Sequence, residues 1–228
     1  MNPVDGMTKL RFTVSMESIV VVRHGETEIN RANKETKDRM IGGQLESPLL
    51  PEGMDGAIEA GKKISGMSGI DIRLAVSSDL SRAVDTRDLI VEQLSGKKEI
   101  RSHKTAGLRE IDYGKFAGKR ESQAAQEFPE YFSGPTFKNW RGDFDHKAPG
   151  GENYADIAAR LGDLDSLLRQ TDGDVLIVSH MHTIRVLLHR ALGLTPEQTI
   201  RLKIPNTIPL VLKRDKMVGE VTLAHLLS

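Results

Sequence analysis

No cysteine occurs among the 228 residues, which excludes disulfides, a thiol nucleophile and thiolate-held metals. The same absence fits a reducing compartment, and a cytoplasmic location is the expectation. No apolar run approaches the ~20 residues needed to span a bilayer. The opening MNPVDGMTKLRFTVSMES lacks a long apolar core and a small-residue cleavage site, so it does not read as a signal peptide. Aromatics are scarce at 4%, with a single Trp. Net charge is missing too, since 32 Lys and Arg balance 32 Asp and Glu. No global field favours nucleic acid or an anionic membrane, and neither is an expected partner. Any anion binding must come from a local cluster on a neutral background.

What the chain does contain is an alternation. Short β-branched runs at 18–24 (SIVVVRH), 72–79 (IRLAVSSD) and 174–180 (DVLIVSH) alternate with helical patterns at 51–65, 80–96 and 183–193. Pro51 marks one helix start, and Gly96 and Gly193 mark two helix ends. A more polar strand is expected between 97 and 111, and two late antiparallel strands around a turn at Arg214-Asp215. This order predicts an α/β fold, a three-layer α/β/α arrangement with a mainly parallel central sheet. The length suits a single domain over 1–228. Residues 111–152, rich in Gly, Pro, Lys and aromatics, read as an inserted helical cap over one end of the sheet. Trp140 and the sheet edges could pack internally or serve a homodimer.

The chemistry-bearing residues sit where strands end. Arg23 and His24 close the first strand, Arg82 lies one short turn after the second, and His180 closes the strand at 174–180. In an open parallel sheet, ligands gather outside the carboxyl ends of the strands, where helix N-termini offer N–H groups and partial positive charge. Three segments thus deliver two Arg and two His to one crevice suited to phosphate. Taken singly, each has a plainer reading. His24 could be a strand-end histidine, Arg82 a surface residue, and His180-Met181-His182 a metal-type His-x-His. No acidic cluster or His pair calls for a metal, and no cofactor is expected. His103, His146, His189 and His225 stand alone and read as surface or packing residues.

Together, VRHGETEIN, SSDLSRAVDT, GLREIDYGKFAG, PGGENYADIAAR and VLIVSHMHTIRVLL resemble, in order and spacing, the histidine phosphatase superfamily, also called phosphoglycerate mutase-like. The resemblance implies that His24 is the nucleophile and forms a phosphohistidine. Arg23, Arg82 and His180 would hold the phosphate oxygens, with Asn30 assisting. Glu110 would protonate the leaving oxygen and then deprotonate the attacking water. Gly43 and Gln44 would belong to the family's substrate-side loop. The residue types suit these roles. Imidazole is a nucleophile near neutral pH once one nitrogen is unprotonated and the ring is oriented. Guanidinium matches phosphate oxygens and stays charged.

The chain also departs from that pattern. RANKETKDRMI, after Asn30, is longer than in relatives and could form a mobile flap or alter substrate size. Met181 and His182 stand where small residues are usual, so His182 could contact substrate. Cofactor-dependent phosphoglycerate mutases carry an Arg directly after the acid and an Arg-Arg pair later. Here Ile111 follows Glu110, and Gly142 follows Arg141. Each lost charge-assisted hydrogen bond is worth about 1.5–3 kcal/mol, unless Lys115, Lys119 or Arg120 compensates. The expectation is a metal-independent hydrolase of small phosphomonoesters, with a phosphoglycerate mutase or a non-enzymatic phospho-ligand-binding protein as alternatives.

Overall fold

Strand residues here show their two faces directly. Ile19 and Val21 enter one core cluster while Val20 and Val22 enter the other, as the two-residue period of a strand requires. Each fully buried aliphatic side chain contributes about 1.5–3 kcal/mol, which makes this double burial the main reason the central strands form. The structure is a computed structural model and describes residues 16–94, 99–133, 139–213 and 216–228.

In chain order the elements are β1 (Ile19–Arg23), α1 (Glu28–Glu35), α2 (Pro51–Gly66), β2 (Ile72–Ser78), α3 (Ser81–Leu94) and β3 (Arg101–Thr105). There follow α4 (Glu121–Glu127), α5 (Tyr154–Arg160), α6 (Gly162–Arg169), β4 (Asp174–Ser179) and α7 (Met181–Leu192). The chain closes with α8 (Pro196–Arg201), β5 (Leu210–Lys213), β6 (Lys216–Val218) and α9 (Leu223–Leu227). The sheet order is β3-β2-β4-β1-β5-β6. The pairs from β3 to β1 are parallel, and β5 and β6 are antiparallel. Helices α2 and α3 cover one face through Ala57, Ala60, Ile64 and Ile90. Helices α5, α6 and α7 cover the other through Tyr154, Ile157, Leu164, Ile184 and Leu188. This is the expected three-layer α/β/α arrangement with a mainly parallel sheet. No helix among the described residues is long and apolar enough to cross a membrane.

Within 111–152 the described residues form short 3₁₀ turns and α4. Their apolar groups join the core cluster of the α7 face: Tyr113, Phe116, Trp140 and Phe144 are all buried. Trp140 meets Phe116 edge-on at 4.9 Å between centroids, so it packs internally.

Some boundaries differ from expectation. Helix α7 begins at Met181, two residues early, because His180 already has the extended backbone of an N-cap. After Val218, residues 223–227 are helical rather than part of a late strand, started by a Thr222–His225 capping box and anchored by buried Leu226. Gly96 and the turn at Arg214-Asp215 lie outside the described residues. The short helices α1, α5, α6 and α8 lie outside the expected helical patterns.

Candidate active site

Register places the central pair. Arg23 of β1 stands opposite Ser179 of β4, so His24 and His180 come off the sheet side by side, with ring centroids 5.0 Å apart. The His24 N–H donates to the Ser179 carbonyl at 3.0 Å. Its side-chain Nδ1 lies 2.7 Å from the carbonyl oxygen of Gly25. A carbonyl only accepts, so Nδ1 carries the proton and Nε2 keeps its lone pair. Burial, then Arg23 and Arg82, hold the imidazolium form of His24 well below its ordinary pKa of 6.5. The ring is therefore neutral, oriented and nucleophilic at Nε2.

Glycine follows His24 for a steric reason. A Cβ at Gly25 would lie 2.4 Å from the carbonyl oxygen of Gly53 in α2. Strand end and helix start touch backbone to backbone there, while the Gly25 N–H donates to Thr86 at 2.9 Å.

His180 is wholly buried, and neither ring nitrogen has a partner among the described residues. Its pKa is driven well down by burial, then by His24, Arg82, Arg23 and Arg160. The Arg23 Nε is likewise buried without a partner, while its Nη1 donates to the Ile204 carbonyl at 2.8 Å. Arg82 donates from Nη1 to Leu45 O at 2.7 Å and from Nη2 to Gly43 O at 2.9 Å. Each Nη keeps a second hydrogen for another acceptor. Buried groups of this kind are nearly always paired, so unpaired capacity concentrated around His24 marks a place for an oxyanion.

Glu110 enters from the loop after β3, whose carbonyls are all occupied. Arg160 donates to Gly107 O at 2.6 Å and Arg109 O at 2.7 Å, Ser179 to Leu108 O at 2.8 Å, and Thr183 to Arg109 O at 2.5 Å. The Glu110 carboxylate oxygen Oε1 accepts from the N–H groups of Ile111 at 3.0 Å and His182 at 3.1 Å. Burial raises its pKa above the ordinary carboxylate value, against the opposing pull of those N–H bonds and of Arg23 and Arg82. A carboxyl so placed holds its proton more readily than an exposed one, as a general acid must.

His182 behaves unlike its neighbour His180. The Tyr113 hydroxyl lies 3.0 Å from the Arg141 carbonyl and must donate to it. It therefore accepts from His182 Nε2–H at 3.1 Å. His182 Nδ1 then accepts from the Tyr154 hydroxyl at 2.9 Å, which itself accepts from Arg185 at 3.2 Å. The chain has one consistent direction and leaves no nitrogen of His182 for a substrate. Burial, then Arg185, holds His182 neutral, and burial pushes the Tyr154 phenol up to about 12.

A cavity of about 580 Å³ opens above His24. Arg23, Lys34, Arg39, Arg82, Arg141 and Arg185 border it, against the carboxylates Glu110 and Asp143. Among the described residues no group of three or more His, Asp or Glu side chains could hold a metal ion.

The structure thus brings Arg23, His24, Arg82, Glu110 and His180 together: the first four line the cavity, and the buried His180 ring lies 5.0 Å from that of His24. Asn30 lines the cavity, but its oxygen is spent on the Thr27 N–H of the α1 capping box, which leaves only its NH₂ group to offer. Gly43 lines it too, at φ +54° and against Ile111 and Tyr113, where a side chain would not fit. Gln44 does not line it: its amide donates to Glu110 O at 3.0 Å and accepts from Arg109 at 3.4 Å, so it braces the acid's loop. Gln44 thus makes internal contacts, while His182 lines the cavity with both ring nitrogens bonded to tyrosines. Lys115, Lys119 and Arg120 lie off the cavity, with Lys119 paired to Glu127 and Arg120 donating to Asp38 O. They do not replace the missing arginines. His189 is buried on Thr199 and His146 pairs with Asp143, as packing and surface residues do.

Sequence reasoning missed Arg185, Tyr113, Arg160 and Asn206, whose amide donates to His24 O at 2.7 Å. Arg185 was findable, since it follows His182 by one helical turn. The other three are brought in by contacts distant in the chain.

The profile of the histidine phosphatase superfamily (branch 1) matches residues 19–224. A 2,3-bisphosphoglycerate-dependent phosphoglycerate mutase of Parvibaculum lavamentivorans is 32% identical over 207 residues, 89% of this chain and 93% of that one. A solved mycobacterial glucosyl-3-phosphoglycerate phosphatase is 27% identical with a TM-score of 0.68, covering 86% of this chain and 89% of that one. The alpha-ribazole phosphatase of Shigella flexneri, 20% identical, shares the fold with a TM-score of 0.69 over 92% of this chain and 98% of its own. The chain belongs to the histidine phosphatase superfamily.

Proposed function

We propose that this member of the superfamily hydrolyses small phosphomonoesters through a phosphohistidine at His24, with Glu110 as general acid and base. His24 Nε2 attacks phosphorus and the ester P–O bond breaks. The Glu110 carboxyl gives its proton to the departing alkoxide. Glu110, now a carboxylate, takes a proton from water, whose oxygen attacks phosphorus as the P–N bond breaks. Phosphate leaves, the lone pair returns to Nε2 and Glu110 is protonated again. Arg23, Arg82 and His180 hold the phosphoryl oxygens, where most of the catalytic gain in phosphoryl transfer arises. The observation that carries this reading is the His24 Nδ1 bond to Gly25 O beside the unpaired nitrogens of His180 and Arg23.

A second reading, phosphoglycerate mutase, is favoured by the 32% identical relative, itself such a mutase by name. Against it stand Ile111 after Glu110, Gly142 after Arg141, and the placement of Lys115, Lys119 and Arg120 off the cavity. A phosphate-release assay on p-nitrophenyl phosphate, 3-phosphoglycerate and sugar phosphates, run beside a mutase assay, separates the two. Release from several esters without mutase activity is expected. Interconversion of 2- and 3-phosphoglycerate with negligible release would overturn the hydrolase reading.

A further inference from the structure

The long segment after Asn30 is not a loose flap. Asn33 and Met40 bond reciprocally at 2.9 and 2.8 Å. Ile41 N–H donates to Lys119 O and Gly118 N–H to Ile41 O, both at 2.9 Å, and Glu121 N–H donates to Arg39 O at 3.0 Å. Asp38 accepts from the Ser122 N–H at 2.9 Å and from its hydroxyl at 2.8 Å. This short ladder ties both sides of Arg39 to the start of α4, so the backbone carrying its guanidinium is held in place.

That guanidinium stands at the cavity's outer end, exposed and with no carboxylate partner among the described residues. Lys34 and Arg141 accompany it. Lys34 pairs with Glu26 at 2.7 Å and Arg141 pairs with Glu121, but an ammonium has three donors and a guanidinium five, so each can take a further anion. The same three cations also border a second cavity, of about 700 Å³, on the far side. They form a wall between the chamber above His24 and an outer vestibule. The inner chamber alone is of the size that encloses a whole small molecule, ~300–1,000 Å³, rather than a bare phosphate.

Resting on the phosphatase reading, we infer that the substrate carries a second anionic group, a carboxylate or phosphate, at the far end of a spacer, and that Arg39 receives it with Lys34 and Arg141. The inner cations Arg23 and Arg82 take the phosphoryl group that reacts. The outer three take the group that does not, which makes them residues of specificity. Against a chain with no net charge, this local field also favours doubly anionic ligands during approach.

A molecular ruler tests the inference: a series of straight-chain alkyl phosphates of rising length, each ending in a carboxylate, a phosphate or a neutral hydroxyl. In the wild-type protein, kcat/KM is expected to rise about fivefold over the hydroxyl ester at one preferred length, in keeping with a few partly exposed charge contacts. That advantage should collapse toward unity in K34A/R39A and in 0.5 M salt. Comparing the carboxylate and phosphate arms identifies which anion the wall prefers. Equal kcat/KM for charged and neutral ends at every length would overturn the inference. Should no ester be hydrolysed, the phosphatase reading falls. Calorimetric binding of the same pairs to the wild-type protein then judges the outer site alone: tighter binding of the charged end upholds it, and equal binding overturns it.

Discussion

His180 and His182 stand two residues apart at the start of α7, both buried and both held neutral, yet their surroundings are opposite. Around His180, whose ring lies 5.0 Å from that of His24, both ring nitrogens and the Arg23 Nε have no partner among the described residues. Around His182 every polar atom is spoken for by Tyr113, Tyr154 and, through Tyr154, Arg185. An unmade hydrogen bond at a buried group costs about 1–3 kcal/mol. Beside His24 that cost falls on three nitrogens at once, and an anionic ligand there would repay it. The tyrosine–histidine chain carries no such cost and works as scaffold. It sets the backbone of His182, whose N–H in turn orients Glu110.

The largest expected effect lies at His24. His24→Ala should cut phosphate release by at least about 10⁴-fold, and rapid alkaline quenching of a ³²P-labelled ester should leave label on wild type but not on the variant. Turnover or labelling that survives in the variant would refute the nucleophile assignment. Next comes Glu110→Gln, expected to slow alkyl phosphates by about 10²–10⁴-fold. The loss should be much smaller for p-nitrophenyl phosphate, whose leaving group needs no proton. Equal losses on both substrates would show that Glu110 does not act as the acid.

Smaller effects should come from the scaffold. Tyr154→Phe leaves His182 Nδ1 buried and unpaired, a cost of about 1–3 kcal/mol that a thermal unfolding scan would register as a lower Tm. An unchanged Tm would mean that the chain does not support the fold. The gentlest probe is pH. His24, His180 and His182 stay neutral in the fold well below 6.5, whereas unfolded imidazoles titrate near that value. Below about pH 6.5 the unfolded chain therefore binds more protons, and stability falls as pH falls. Glu110, with its raised pKa, acts in the other direction: its share of stability is present below the ordinary carboxylate value and is lost as pH rises through its folded pKa. The Tm should decline steadily from pH 7 to pH 5, and His182→Asn should flatten that slope. A slope left unchanged by the substitution would place the titration elsewhere.

Much of this was legible beforehand because it is local. Three strand ends carrying Arg23-His24, Arg82 and His180 can be read from β-branched runs and helix starts. A parallel sheet brings such ends to one edge. The contacts of Gln44 and His182 were not legible for a common reason. Each lies in a segment that borders the cavity, and only side-chain direction decides whether it faces ligand or protein. Gln44 turns to the Glu110 carbonyl, and His182 meets two tyrosines that lie 69 and 28 residues away in the chain.

By itself the sequence determined the layered α/β fold, the strand-end cluster and the family, since periodicity and short motifs are properties of neighbouring residues. Only the tertiary structure decided which buried nitrogens stay unpaired, which way the His182 chain runs, and that the segment carrying Arg39 is pinned against α4. Those outcomes depend on partners far apart in the chain, whose meeting is set by packing and register.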